Sequence, residues 1–246
     1  PNRMENFKHV DSRWVDVYWD PGRDYSVPWL WGTMAFAVNT DVYEGDIDTL
    51  ALVFDPPDDL KGRIGLNRHV GDVLNAALRY LDLPRCSDDP NDLKKLDELL
   101  RRVRLFVKAI ATDGEARIAS GDVDLAMLSN GASMRARAQV PFLKYAYPKE
   151  GFTGWMDNVA VLKDAPNLAN AKLFVNFIMA PENAALISNY AKYANGIVGS
   201  EKFMGADLTS ALEIVMQENT LAPDFVPPCD EKVVQMYDKI WTNLIE

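Results

Sequence analysis

Trp155 and Asp157 stand one residue apart within EGFTGWMDNVAVLK, residues 150–163. On an extended backbone, positions i and i+2 point to the same side. A ring face attracts an organic cation and covers its methylene groups. A neighbouring carboxylate accepts charge-assisted hydrogen bonds from the cation's N–H groups. The pair therefore suits an organic ammonium group. The competing structural reading is a core Trp with an Asp capping a strand start. Glu150, Gly151 and Gly154 read as a turn, and Val159 to Leu162 is a short apolar run. That order predicts a loop feeding a buried strand, with the pair at the strand's mouth.

The chain that must position this pair has 246 residues, enough for one large domain or two modest lobes. Apolar residues make up 48% and charged residues 25%, as in an ordinary globular protein. Against 26 basic residues stand 36 acidic ones, a net charge of −10. That balance argues against nucleic acid and anionic membranes, and it favours cationic ligands. No apolar run is long enough to span a bilayer. The opening PNRMENFKHVDSR lacks an apolar leader core, so the expectation is either a cytosolic protein or a leader already removed. Two histidines, His9 and His69, are too few for a His-based metal site, and no zinc or EF-hand spacing occurs. The sequence calls for no metal and no cofactor. Cys86 and Cys229 could form one disulfide, but two cysteines leave the redox compartment open.

Residues 1–24 carry no strong helix or strand signal. Residues 25–39, YSVPWLWGTMAFAVN, read as a strand buried on both faces. Pro56-Pro57 stops any helix, and Ile64 to Leu66 is a short strand. Apolar groups at 70, 73, 74, 77, 78 and 81 predict a helix over 69–82, with Asp72 in its first turn. A second amphipathic helix is expected over 91–110, its basic end a solvated face. A short helix (113–120), a strand (123–128) and a helix starting in SNGASMRARAQ (129–139) follow. That strand–Gly turn–helix corner places free N–H groups at a helix start, an anion- or ligand-binding geometry. Helices are expected over 167–179, 181–192, 207–218 and 230–244. Strands alternating with helices make the class α/β.

These segments resemble the periplasmic polyamine-binding proteins, the spermidine/putrescine receptors of ABC importers. The resemblance rests on VPWLWGTMAFAVN, FDPPDDLKGRIGL, AALRYL, ASGDVDLAM, the long stretch from YPKEGFTGWMDNVAVLK to APENAALIS, and YANG, in this order. It implies a type II periplasmic binding protein with two α/β lobes and the solute held in the cleft between them. It also implies a periplasmic, monomeric receptor that hands its solute to ABC transporter permease subunits. Trp155, Asp157 and Tyr193 fall at the family's ligand-facing positions, and Asp72 falls where an amine-binding acid is often placed.

Two departures bear on the ligand. Ser129 and Ala132 stand where the family has an aromatic and a second carboxylate. A desolvated ammonium left unpaired costs several kcal/mol. So either Asp72 takes the far amine, or the solute is a zwitterion such as an ω-amino acid or an opine, its carboxylate meeting the helix start and Arg135. The family also has a further N-terminal segment, so the resemblance implies an incomplete first lobe. Lobe one would comprise 1–37 and 155–196, and lobe two 38–154 and 197–246. Both cysteines would then fall in lobe two, where the expectation is that they stay unbonded. The competing classes are an enzyme acting on a small amine, with Asp72 and Asp157 as its acid and base, and a non-transport interaction module.

Overall fold

The computed structural model describes residues 1–216 and 218–245. The first half of the chain forms β1 (Asp16–Val17), β2 (Asp20–Pro21), β3 (Ser26–Asn39), α1 (Ala51–Phe54), β4 (Ile64–Asn67), α2 (Val70–Tyr80), α3 (Pro90–Arg104) and β5 (Val107–Ala111). Next come α4 (Gly114–Ala119), β6 (Leu125–Ser129), α5 (Asn130–Arg137), β7 (Leu143–Ala146) and β8 (Thr153–Ala160). The chain continues through α6 (Leu168–Ile178), α7 (Pro181–Ala191), β9 (Ala194–Asn195), α8 (Ala206–Thr209) and α9 (Glu231–Ile245). Unit 1 comprises Pro1–Gly32 and Trp155–Val215, and unit 2 comprises Thr33–Gly154 and Met216–Glu246.

Unit 2 is a sheet covered on both faces. Its strand order is β5-β4-β6-β3-β7, with β4, β5 and β6 parallel and β3 antiparallel to β6 and β7. Side chains alternate across such a sheet. Phe36, Val38, Ile64, Leu66, Leu125 and Met127 therefore join the core shared with α1, α2, α3 and α9. Ala37, Ala126 and Leu128 join the second core under α4 and α5. Helix α2 buries Val73, Leu74, Ala77 and Leu78, the stripe expected from their spacing. Helix α3 starts at Pro90, and its Asp89 cap accepts a hydrogen bond from Asn91 N.

The expected helix over 91–110 stops at Arg104. VKAIA is instead the edge strand β5, whose Ala109 to Ala111 pair in parallel with Gly65 to Asn67. Helical periodicity carried across two elements hid this boundary. The expectation that Cys86 and Cys229 stay unbonded is also overturned: they form a disulfide with Cα atoms 5.4 Å apart. Arg85 donates to Pro227 O at 2.6 Å, and Tyr237 Oη donates to Ser87 O at 3.3 Å. These bonds bring the two loops together, and the sequence separation of 143 residues concealed it.

In unit 1 the first half of β3 pairs with β9, Leu30 opposite Asn195 and Trp31 opposite Ala194, while β8 also pairs β3. Val10, Trp14, Val17, Val27, Leu30 and Ile197 are buried. Residues 197–215 pack here rather than with the other lobe, because Asn189 bonds Phe203 O and Gly205 N while Lys192 pairs with Asp207 at 2.8 Å. The helix expected over 207–218 shrinks to the single turn α8. Beyond it the chain turns through short-range bonds, Ala211 N to Leu208 O and Ile214 N to Ala211 O, and Gln217 lies outside the described residues. Among the described residues no helix is long and apolar enough to cross a membrane.

Candidate functional site

β8 begins earlier than the apolar run suggests, so Trp155 and Asp157 lie within the strand rather than at its mouth. The run itself is not a buried strand. Val159 is half-buried, Ala160 is exposed and Leu162 is 78% exposed, because β3 is the one partner of β8 among the described strands. The alternation of β8 is fixed by its other side. Asn158 Oδ1 accepts from Arg23 Nη1 at 2.5 Å, and Met156 Sδ lies 3.3 Å from Arg23 Nη2. With 156 and 158 engaged by Arg23, residues 155 and 157 take the opposite side.

Arg23 is fully buried and adopts a left-handed φ of +56°. Its Nε donates to Trp14 O at 2.5 Å and its Nη1 to Ser26 Oγ at 3.2 Å. Burial lowers its pKa, partly offset by the charge of Asp20. Asp20 in turn ties the turn together, accepting from Ser26 N and Ser26 Oγ at 2.7 Å each. These bonds support β8 from the side away from Asp157.

Trp155 and Tyr193 form an edge-to-face pair, ring centroids 4.8 Å apart and planes at 82°. Tyr193 arrives there because α7 ends at Lys192 in a left-handed cap, φ +63°, which turns the chain into β9. Trp31 anchors β9 by donating from Nε1 to Asn195 O at 3.1 Å. Asp157 is exposed and has no hydrogen-bond or ion-pair partner among the described residues. Partial burial nevertheless raises its carboxyl above the usual value. The structure thus gathers two rings and an unpaired carboxylate in unit 1.

Asp72 and Ser129 belong to unit 2. Parallel strands β4 and β6 release the chain at the same edge of the sheet, β4 into α2 and β6 into α5. Asp72, in the first turn of α2, accepts from Asn67 Nδ2 at 3.0 Å. Its Oδ2 also lies 3.5 Å from His69 Nδ1. Burial raises its carboxyl, while the charge and hydrogen bond of His69 pull it back. Ser129 sits at the N-cap position of α5, opposite Met34 of β3. Asn130 Oδ1 accepts from Thr33 N at 3.2 Å, and the Thr33 hydroxyl meets Tyr145 Oη at 3.0 Å.

Arg135 does not face this corner as an open cation. Its Nη2 and Nε reach Glu115 at 2.6 and 3.0 Å, an ion pair between α5 and α4. This engages the guanidinium that the zwitterion alternative would use. Asn67, His69 and Arg23 were missed as site residues. The signal for the first was present: an Asn ending a strand two residues before a turn residue is an Asx-turn, and Asn67 Oδ1 accepts from His69 N at 3.1 Å.

The sequence matches the family described as bacterial extracellular solute-binding protein over residues 5–207. It is 27% identical over 223 residues to a spermidine/putrescine-binding periplasmic protein of Salmonella typhimurium, covering 90% of this chain and 64% of that one. The chain therefore spans just under two thirds of that relative. A putrescine-binding periplasmic protein of Pseudomonas aeruginosa is 28% identical over 262 residues, covering 99% of this chain and 71% of its own. A solved spermidine/putrescine ABC transporter protein of Listeria monocytogenes superposes with a TM-score of 0.86 at 25% identity, covering 98% of this chain and 75% of that one. The fold is that of type II periplasmic binding proteins, built on a mixed α/β pattern. With a matched profile across most of its length, residues 5–207, the chain belongs to the bacterial extracellular solute-binding protein family.

Proposed function

We propose that this chain is the solute receptor of an ABC importer and captures a polyamine or a related small organic amine. The observation that carries the reading is the unpaired Asp157 carboxylate on the same side of β8 as the Trp155–Tyr193 pair. A carboxylate raised by burial and left without a cation is offset when an ammonium arrives. The rings then cover the methylene chain and add a cation–π attraction of about 0.5–2 kcal/mol. In unit 2, Asp72 is a further largely shielded carboxylate of the kind that accepts an ammonium. The names of the relatives from Salmonella and Pseudomonas support the same solute class.

In this reading the receptor is a periplasmic monomer. It binds without turnover and passes its solute to the permease subunits. The disulfide of unit 2 supports an oxidising compartment. The zwitterion reading is disfavoured by the Arg135–Glu115 pair, which already satisfies the guanidinium it would need.

A thermal-shift panel of putrescine, spermidine, butylamine, γ-aminobutyrate and a neutral diol tests the solute class. A ligand specific to the folded state raises stability by mass action, about 2.7 kcal/mol at a hundredfold excess over Kd. Putrescine or spermidine is expected to raise Tm most. Stabilisation by γ-aminobutyrate alone, or by none of the five, would overturn the polyamine reading.

A further inference from the structure

Asp72 is not a bare acid. Asn67, at the end of β4, is fixed in one orientation because its Oδ1 accepts from His69 N at 3.1 Å. Its Nδ2 is thereby directed to Asp72 Oδ2 at 3.0 Å. The same oxygen lies 3.5 Å from His69 Nδ1. Two protein groups occupy Oδ2, and Oδ1 has no partner among the described residues. The side chain of His69 is 71% exposed and that of Asp72 is 17% exposed. The imidazole thus samples bulk solvent while touching a carboxylate that is largely shielded.

We propose that Asn67 and His69 together set the orientation and charge of Asp72, so that amine affinity falls as His69 takes a proton. The inference rests on the reading above that Asp72 binds an ammonium. Asn67 is the positioning residue, reserving Oδ1 for the solute. His69 is the proton-sensitive one, since a protonated imidazole carries a positive charge against Asp72 Oδ2. A neutral imidazole leaves Asp72 its full negative charge. An imidazolium supplies a competing cation at the same carboxylate and repels an arriving ammonium.

The surroundings leave His69 and Asp72 as the coupled pair. From α2, Asp72 is the charged group within ion-pair distance of the imidazole among the described residues. From β3, Met34 Sδ approaches Asn67 Nδ2 at 3.9 Å. The adjacent Arg68 lines a separate hollow with Arg104 and Lys108 beside β5. The raised carboxyl of Asp72, pushed up by burial and held back by His69, agrees with this coupling.

The test is calorimetric titration of putrescine at about pH 8 and about pH 5 into the wild type, His69→Gln, Asn67→Ala and Asp72→Asn, with circular dichroism confirming each fold. The wild type is expected to lose about three- to tenfold more affinity on acidification than His69→Gln, the size of a screened charge contact. Asn67→Ala is expected to weaken binding at pH 8 while keeping the pH dependence, a split that a merely structural role would not produce. Equal pH dependence in the wild type and His69→Gln overturns the inference while leaving Asp72 as an amine acceptor. Unchanged affinity in Asp72→Asn at pH 8 overturns the assignment of Asp72 itself, and this inference with it.

Discussion

At the residue scale the proposed function rests most heavily on Asp157. Substitution to Asn keeps its shape and removes its charge. A hydrogen bond to a charged group contributes about 1.5–3 kcal/mol, so Asp157→Asn should weaken putrescine binding about ten- to a hundredfold. Trp155→Leu should cost less, about three- to thirtyfold, because it removes the ring face and leaves the charge. Arg23 acts on the same strand from its other side. Arg23→Met removes the donors to Trp14 O and Asn158 and should cost about 3 kcal/mol in urea denaturation.

The pH dependence of the two acids follows from the same burial. Asp72 and Asp157 both have raised carboxyls in the free protein. A raised acid contributes stability that is full below its unfolded value of about 3.9 and is lost as pH rises through the folded value. A bound ammonium reverses this by favouring the charged form. The Tm increase given by putrescine should therefore grow between about pH 4 and pH 7, read by calorimetric scanning.

At the element scale, the disulfide is the clearest target. Cys86–Cys229 ties the loop after α2 to the loop before α9 across 143 residues of sequence. Cys229→Ser should lower unfolding stability by about 2–5 kcal/mol in guanidinium melts, and dithiothreitol should mimic it in the wild type. Elements with one clean period were legible in the sequence. β3 and α2 lie where an apolar run and a helical stripe placed them, because each buries a continuous face, whereas α6 and α7 lie where expected although Leu173, Phe174, Phe177 and Leu186 are exposed. Elements whose existence depends on pairing were not. β5 and β7 are short and polar in part, and only the neighbouring strands make them strands. Trp155, Asp157 and Tyr193 could be named from residue type and resemblance. The Asn67–Asp72–His69 contacts could not, since they depend on how a strand end turns into a helix.

At the scale of the whole molecule, the net charge of −10 favours approach of a cation. Exposed charges are screened over about 8 Å at physiological salt, so the association rate for spermidine should fall as sodium chloride rises. Stopped-flow tryptophan fluorescence would read this, since Trp155 belongs to the proposed site. The family is one of solute-binding proteins, and the proposed function assigns an ammonium to this chain's Asp157. The direct measurement is isothermal titration of putrescine into the wild type and Asp157→Asn at neutral pH. Saturable binding that weakens at least tenfold in the variant is the predicted result. Equal affinity in both proteins would contradict the assignment of the ammonium to Asp157.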